Sequence, residues 1–137
     1  MTDPDAALTA GARESMPFAE LLGVEVLAAS SEEVRARIAW EERLCTAGGV
    51  LHGGALMSLA DAAGAYCTFL NLPERSTGTA TIESKTNFFR AVREGHVVAT
   101  SRPLHRGRTT IVVETDLHDA EGKHVARVTQ TQAVLGA

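Results

Sequence analysis

The chain has 137 residues, 45% of them hydrophobic and 22% charged, with a formal net charge of −4. That length suits one domain able to bury a sizeable core, and the composition excludes a disordered or fibrous chain. The acidic balance argues against nucleic acid as a partner, because a phosphate backbone requires a basic surface.

In chain order, residues 1–14 are small and polar and read as a mobile lead-in to a single domain. Ser15 then offers an N-cap and Pro17 sits near the first helical position. A short helix is therefore expected through Phe18, Leu21 and Leu22, stopping at Gly23. Residues 24–29 read as a brief strand and Ser30-Ser31 as a turn. From 33 to 40 the residues alternate, with Val34, Ala36, Ile38 and Trp40 on one face and Glu33, Arg35, Arg37 and Ala39 on the other. That is the pattern of a half-buried antiparallel strand. A loop over 41–52, containing Gly48-Gly49, leads into a helix over about 54–70 that Asn71-Leu72-Pro73 terminates. The rest is strand-like: 78–89, 95–105, 108–119 and 123–134, punctuated by Glu94-Gly95, Arg106-Gly107 and the turn from Asp119 to Gly122. One long apolar helix and about six strands predict an α+β domain in which an antiparallel sheet wraps the helix. A single helix cannot cover both faces of such a sheet, and edge strands stay unpaired, so a homo-oligomer is expected.

The stretch over 50–70, VLHGGALMSLADAAGAYCTFL, is apolar on nearly every side yet contains Asp61. A helix apolar all round is buried or spans a membrane. A central Asp costs roughly 2.5–3.5 kcal/mol on insertion, which Ala and Gly do not offset, so no membrane association and a soluble cytoplasmic chain are expected. The N-terminus lacks the basic-then-apolar order of a signal peptide. Cys45 and Cys67 make no disulfide framework, and no Cys/His spacing points to a metal.

Charge is unevenly spread. Residues 1–42 hold nine acidic side chains against three arginines, whereas residues 85–108 hold Lys85, Arg90, Arg93, Arg102, Arg106 and Arg108 against Glu94 alone. The basic stretch is either a set of solvated strand faces or a local anion site suited to a phosphate-bearing small molecule.

His52-Gly53-Gly54-Ala55, with an Asp nine residues after the His, resembles the motif of the hotdog-fold acyl-CoA thioesterases, closest to the phenylacetate-degradation (PaaI-type) and human thioesterase-superfamily branch. LHGGALMSLADAAGA is the most specific part of a resemblance that covers roughly residues 15–135. Lys85-Thr-Asn-Phe-Phe-Arg90 is similar to the strand that follows the helix in that family, and Arg106-Gly107-Arg108 to a shared hairpin. The resemblance implies a hotdog fold and hydrolysis of an acyl-CoA. Coenzyme A is then part of the substrate, and no separate cofactor is needed. It also implies roles: Gly53 N–H polarising the thioester carbonyl, Asp61 as nucleophile or general base, His52 holding the loop and the carbonyl region, and Thr81 near the attacking water. One position departs from the family, which commonly has Asn six residues before the His where this chain has Thr46.

The chemistry can be weighed residue by residue. A helix N-terminus presents free N–H groups and a positive dipole end to a developing oxyanion. Gly53 and Gly54 let a bulky substrate approach the backbone, or simply make a tight turn. Asp61 lies about 12 Å beyond Gly53 at ~1.5 Å per residue, so it cannot serve a carbonyl held by its own Gly53. An antiparallel helix from a second subunit can bring its Asp61 there. The minimal unit is then a two-fold dimer, with pairing of dimers into a tetramer the family habit. Burial would raise the Asp61 pKa and the opposing helix terminus would lower it. His52 is a site residue or a plain loop cap. Met57 lines core or acyl pocket, and Arg90, Arg106 and Arg108, with Gly107 between the last two, are candidates for the CoA phosphates. Two other functions stay open on this fold: an acyl-CoA hydratase/dehydratase using His52 and Asp61, and a non-catalytic acyl-CoA-binding module.

Overall fold

The structure is a computed structural model that describes residues 3–136. Its elements in order are α1 (Ala6–Ser15), α2 (Pro17–Leu22), β1 (Glu25–Ala29), β2 (Val34–Ala39), a short 3₁₀ turn (Glu42–Leu44), α3 (Gly53–Phe69), β3 (Gly78–Phe88), β4 (His96–Arg106), β5 (Thr110–Asp119) and β6 (His124–Leu135). The six strands form one antiparallel sheet in the order β1-β2-β4-β5-β6-β3. This sheet curves around α3, which packs against every strand from β2 to β6. The architecture is the hotdog fold.

Alternation in the sequence decides which strand faces point inward. Val34, Ala36 and Ile38 of β2, Val97 and Ala99 of β4, and Ile111, Val113 and Leu117 of β5 are buried against Leu56, Leu59, Ala60, Ala63 and Cys67 of α3. Each fully buried aliphatic side chain contributes roughly 1.5–3 kcal/mol. Strand limits fall within two residues of the alternation-based ones, because a period of two marks each strand where it begins and ends.

The first 14 residues require a correction. Residues 1–2 lie outside the described region, but the remainder is not a mobile lead-in: Asp5 caps α1 by accepting from Leu8 N–H at 3.0 Å. The helix then docks on the outer edge of β1. Asp5 N–H donates to the Val26 carbonyl (2.8 Å), Val26 N–H donates to Thr9 Oγ1 (2.9 Å), and Arg13 Nε donates to the Val24 carbonyl (2.9 Å). Helix α1 thus satisfies backbone groups that an edge strand leaves unpaired. Its sequence, AALTAGARES, has Leu8 as its one large apolar side chain, too few to set up a helical period, which is why local pattern is silent there. Ser15 is likewise not the N-cap of the following helix. It ends α1, its hydroxyl donating back to the Gly11 carbonyl (3.0 Å), and Met16 caps α2 without a side-chain bond. Gly23 closes α2 in the left-handed conformation (φ 74°), as expected of a C-terminal glycine.

The long helix departs from expectation in a second way. Only one side of α3 is buried within the chain, while the opposite side exposes Met57, Asp61 and Phe69, the last at 63%. Strand β3, at the other edge of the sheet, has no covering helix and exposes Ile82 (63%) and Phe88. Among the described residues no helix is long and apolar enough to cross a membrane.

Two measurements follow from the packing. Deleting residues 1–15 removes three α1–β1 hydrogen bonds and the burial of Ala12, and at about 0.5–1.5 kcal/mol per bond should destabilise the fold by several kcal/mol in thermal unfolding. An unchanged Tm would show that α1 does not dock in solution. The Cys67 thiol is fully buried, and burial pushes it up from 9.0 to about 11 against the opposing pull of the Arg106 guanidinium. The folded state holds this proton more tightly than the unfolded chain. Stability is therefore intact below pH 9 and falls by about 2–3 kcal/mol as pH rises to 11. Urea titrations of Cys67→Ala should lack that portion of the alkaline slope.

Candidate active site

On α3, the positions Gly53, Met57, Asp61, Ala65 and Phe69 recur every four residues and form one outward row. Asp61 sits in its middle. The carboxylate is not solvated alone: Thr81 Oγ1 donates to Asp61 Oδ1 at 3.0 Å, and Gln130 Nε2 donates to the same oxygen at 2.7 Å. A third residue joins them, Gln132, whose Nε2 donates to Thr81 Oγ1 at 2.8 Å. The sequence reading expects Thr81 near an attacking water; in the structure its hydroxyl bonds the Asp61 carboxylate itself.

Gln130 and Gln132 were not among the candidates. Both are 0% exposed and occupy the inward face of β6, in line with Val128. The signal was available: two amides fall on the face that the alternation of β6 assigns to the core. Buried polar groups of this kind are held in place by partners. A bulge in β3 completes the arrangement. Pairing with β6 shifts register between Thr81 and Glu83, so Ile82 is the extra residue. The bulge lets Thr81 and Ser84 face the helix side together, although an odd separation would otherwise put them on opposite faces.

At the start of α3, His52 is the N-cap. Its Nδ1 accepts from Gly54 N–H at 2.8 Å, and its carbonyl accepts from Ala55 and Leu56 N–H. Because Nδ1 is the acceptor, the neutral ring carries its proton on Nε2, which points a donor away from the helix. Gly53 N–H makes no hydrogen bond among the described residues, which leaves one helix-terminal donor available. The glycine pair also has a packing reason. A Cβ at Gly53 would meet the Phe88 ring at 3.1 Å, and one at Gly54 would meet His52 Nδ1 at 2.9 Å. Thr46 lies in the loop before the helix, its N–H bonded to the Val50 carbonyl (2.8 Å) where the chain closes at the Cys45–Leu51 bridge. Its side chain is exposed and makes no hydrogen bond among the described residues.

A cleft of about 360 Å³ opens beside Asp61, walled by Met57 and Ala65 of α3, Met16 and Phe18 at the start of α2, and Ser84 of β3. A second cleft of about 500 Å³ shares Met16 and Ala65 and runs between α1 and the C-terminal half of α3, past Tyr66 and Phe69. Both are mainly apolar. Met57 therefore lines the cleft, whereas its neighbour Leu56 is core.

The basic stretch does not form one anion site. Arg90 follows β3 beside Val125, at the first end of β6, whereas the Arg106-Gly107-Arg108 hairpin lies level with Gln132 and Ala133 at its other end. Eight residues of strand separate them, about 26 Å at ~3.3 Å per residue. Arg106 is also engaged: its Nε donates to Asn71 Oδ1 (2.6 Å) and its terminal nitrogen to the Ser31 carbonyl (3.2 Å) near Glu32. Arg102 pairs with Glu33. The charge asymmetry of the sequence is largely cancelled where β2 lies against β4. Arg90 and Arg108 are exposed and have no ion pair among the described residues.

The remaining titratable cluster lies away from the helix. His124 stacks on His118 (ring centroids 4.9 Å apart), and its Nε2 is 2.7 Å from Asp116 Oδ1, which also receives Arg127 Nε at 2.9 Å. Partial burial pushes the Asp116 carboxyl up, but these two hydrogen bonds and the neighbouring charges outweigh it and hold it below the ordinary range. Among the described residues no group of three or more His, Cys, Asp or Glu is placed to hold a metal ion.

The chain was then compared with known proteins. Residues 48–126 match the model of the thioesterase superfamily, a span that begins just before His52 and ends within β6. ComA2 of Bacillus subtilis, named as a candidate esterase, is 33% identical over 117 residues, covering 85% of this chain and 92% of that protein. The crystal structure of a mutant of thioesterase PA1618 from Pseudomonas aeruginosa superposes with a TM-score of 0.88 at 29% identity, covering 99% and 97% of the two chains. The PaaI protein of the Escherichia coli phenylacetic acid degradation operon shares the fold, with a TM-score of 0.82 at 22% identity over 96% of this chain and 94% of that one. On sequence and fold together, thioester hydrolysis is the chemistry these relatives support in general terms, and the chain belongs to the thioesterase superfamily.

Proposed function

We propose that this protein is an acyl-CoA thioesterase whose site is assembled between two copies of the chain. The observation that carries the reading is the placement of Asp61: a carboxylate fixed by neutral donors on the outward row of α3, facing an apolar cleft, half the helix away from an unbonded Gly53 N–H. Within one chain the two are about 12 Å apart along the helix, too far to act on one carbonyl. The open edge of β3 and the exposed row of α3 lie on the same side of the molecule. Antiparallel pairing of two β3 edges would extend the sheet and set the two α3 helices antiparallel beside each other. Gly53 of one copy then approaches Asp61 of the other, giving two composite sites related by the two-fold axis.

In such a site the thioester carbonyl oxygen lies against Gly53 N–H, with the His52 Nε2–H as a neighbouring donor, and charge developing on that oxygen is stabilised. As general base, Asp61 takes a proton from water as the water oxygen adds to the carbonyl carbon. Collapse of the adduct breaks the C–S bond, and the departing thiolate takes up a proton, yielding free acid and CoA. As nucleophile, Asp61 adds to the carbonyl carbon, the C–S bond breaks and the CoA thiolate leaves to take up a proton; water then cleaves the acyl–Asp61 anhydride, releasing the free acid and restoring the carboxylate. The apolar clefts take the acyl group. The composite arrangement also gives the arginines a shared purpose: Arg90 lies at the Gly53 end of its own chain, and Arg108 at the far end of the partner's sheet. Coenzyme A enters as part of the substrate. The hydratase reading is disfavoured by the His52 cap, because a ring whose Nδ1 is committed and whose Nε2 is protonated is not a base.

Thiol release from aryl-, short- and long-chain acyl-CoAs tests the activity directly. Asp61→Asn should lower kcat by at least about a hundredfold, the scale of a positioned acid–base group; wild-type turnover in that variant would overturn the assignment. Complementation tests the shared site. Co-expressed Asp61→Asn and Gly53→Val chains, each inactive alone, should recover about a quarter of wild-type activity, since half the random dimers are mixed and each carries one intact composite site. No recovery in mixed dimers would place both groups in one subunit's site.

A further inference from the structure

We infer that Gln130, and Gln132 acting through Thr81, are positioning residues that hold the Asp61 carboxylate in a single orientation with Oδ1 occupied and Oδ2 presented for reaction. The inference rests on the reading of Asp61 as the reacting carboxylate, and three independent features carry it.

The first is direction. Gln132 Nε2 donates to Thr81 Oγ1, so the Thr81 oxygen is already an acceptor and its own proton is directed to Asp61 Oδ1. Gln130 Nε2 donates to the same Oδ1. Both routes therefore end on one oxygen, and Oδ2 takes no hydrogen bond from the described residues. A carboxylate with one oxygen accepting two hydrogen bonds in this way cannot rotate freely about its terminal torsion. The second is burial. Gln130 and Gln132 are 0% exposed on a strand face where hydrophobic residues would pack at no polar cost. Gln130 Oε1 is buried with no partner, a cost that packing alone does not explain. An amide that gives up one hydrogen bond to aim its other end at a carboxylate is placed for that donation.

The third is the clearance made for it. A Cβ on Gly64 would lie 1.8 Å from Gln130 Oε1 and 3.0 Å from its amide carbon. The helix carries glycine three residues after Asp61, at a position where alanine is the better helix former, and the space goes to this amide. The groups that face Asp61 around the cleft are otherwise uncharged: Met16 and Phe18 beside α2, Ser58 and Met57 on α3, Ser84 on β3. Its orientation is thus left to Thr81 and Gln130.

The test uses the full-length protein with Gln130→Met and Gln132→Met, since Met approximates Gln in length and volume but donates nothing. The expected result for Gln130→Met is retained folding and kcat lowered about tenfold or more with KM within about twofold. The Asp61 carboxyl carbon resonance, assigned in NMR spectra by its absence in Asp61→Asn, should move and broaden at fixed pH as the carboxylate gains a second orientation. Gln132→Met should change both in the same direction by less. Wild-type kcat and an unmoved Asp61 resonance in Gln130→Met overturn the inference while leaving the thioesterase reading intact. If the wild-type protein cleaves no thioester, that reading fails, and the carboxyl resonance alone decides the positioning role. Should Gln130→Met not fold, Gly64→Ala displaces the same amide from the helix side, and an unmoved resonance there overturns the inference equally.

Discussion

The seating of α3 in the curved sheet is the contact on which the rest of the molecule depends. Along most of its inner face the helix meets the strands through Leu56, Leu59, Ala60, Ala63 and Cys67, a run of mostly small side chains that lets the helix lie close. At Gly64 the approach is closer still, and the Gln130 amide fills the space that a side chain would occupy. That one clearance joins packing to chemistry. Without it β6 could not reach under the helix to the carboxylate, and Asp61 would be an ordinary exposed helix acid.

The sheet treats its two edges differently, and the difference positions the site. Edge β1 is covered by α1, whose polar groups satisfy Val24 and Val26. Edge β3 is left bare over eleven residues, with Ile82 bulged outward and Phe88 resting on Gly53. Unprotected edges of that length are a hazard unless a partner covers them. Here the bare edge strand, the uncovered row of α3 and the apolar cleft meet at Asp61, where Thr81 and Ser84 of β3 lie beside Met57 of α3.

Charge follows the same economy. The acidic first third and the basic middle of the chain look like a polarised molecule when read in line. Folding puts the turn between β1 and β2 against the end of β4, so that Arg102 and Arg106 meet Glu33 and Glu32. What remains exposed and unpaired among the arginine candidates is Arg90 at one end and Arg108 at the other.

By itself the sequence determined the six strands, the helices after residue 15 and which candidate residues share α3 and its cap. Strand positions were legible because alternation is a local property of each strand, and Asp61, His52 and Gly53 were legible because they share one helix, where spacing translates directly into distance. The tertiary structure decided what long-range pairing decides. It brought Gln130, some 70 residues away in β6, onto Asp61, and Gln132 onto Thr81. It docked an alanine-rich helix by polar contacts that no period announces, and it put Arg90 and Arg106 beside opposite ends of β6. It also showed that a helix apolar on nearly every side is covered by its own chain on one side only. A sequence states which surfaces are apolar, but which of them meet within one chain depends on strand order and register, and these are set by contacts between residues far apart in the sequence.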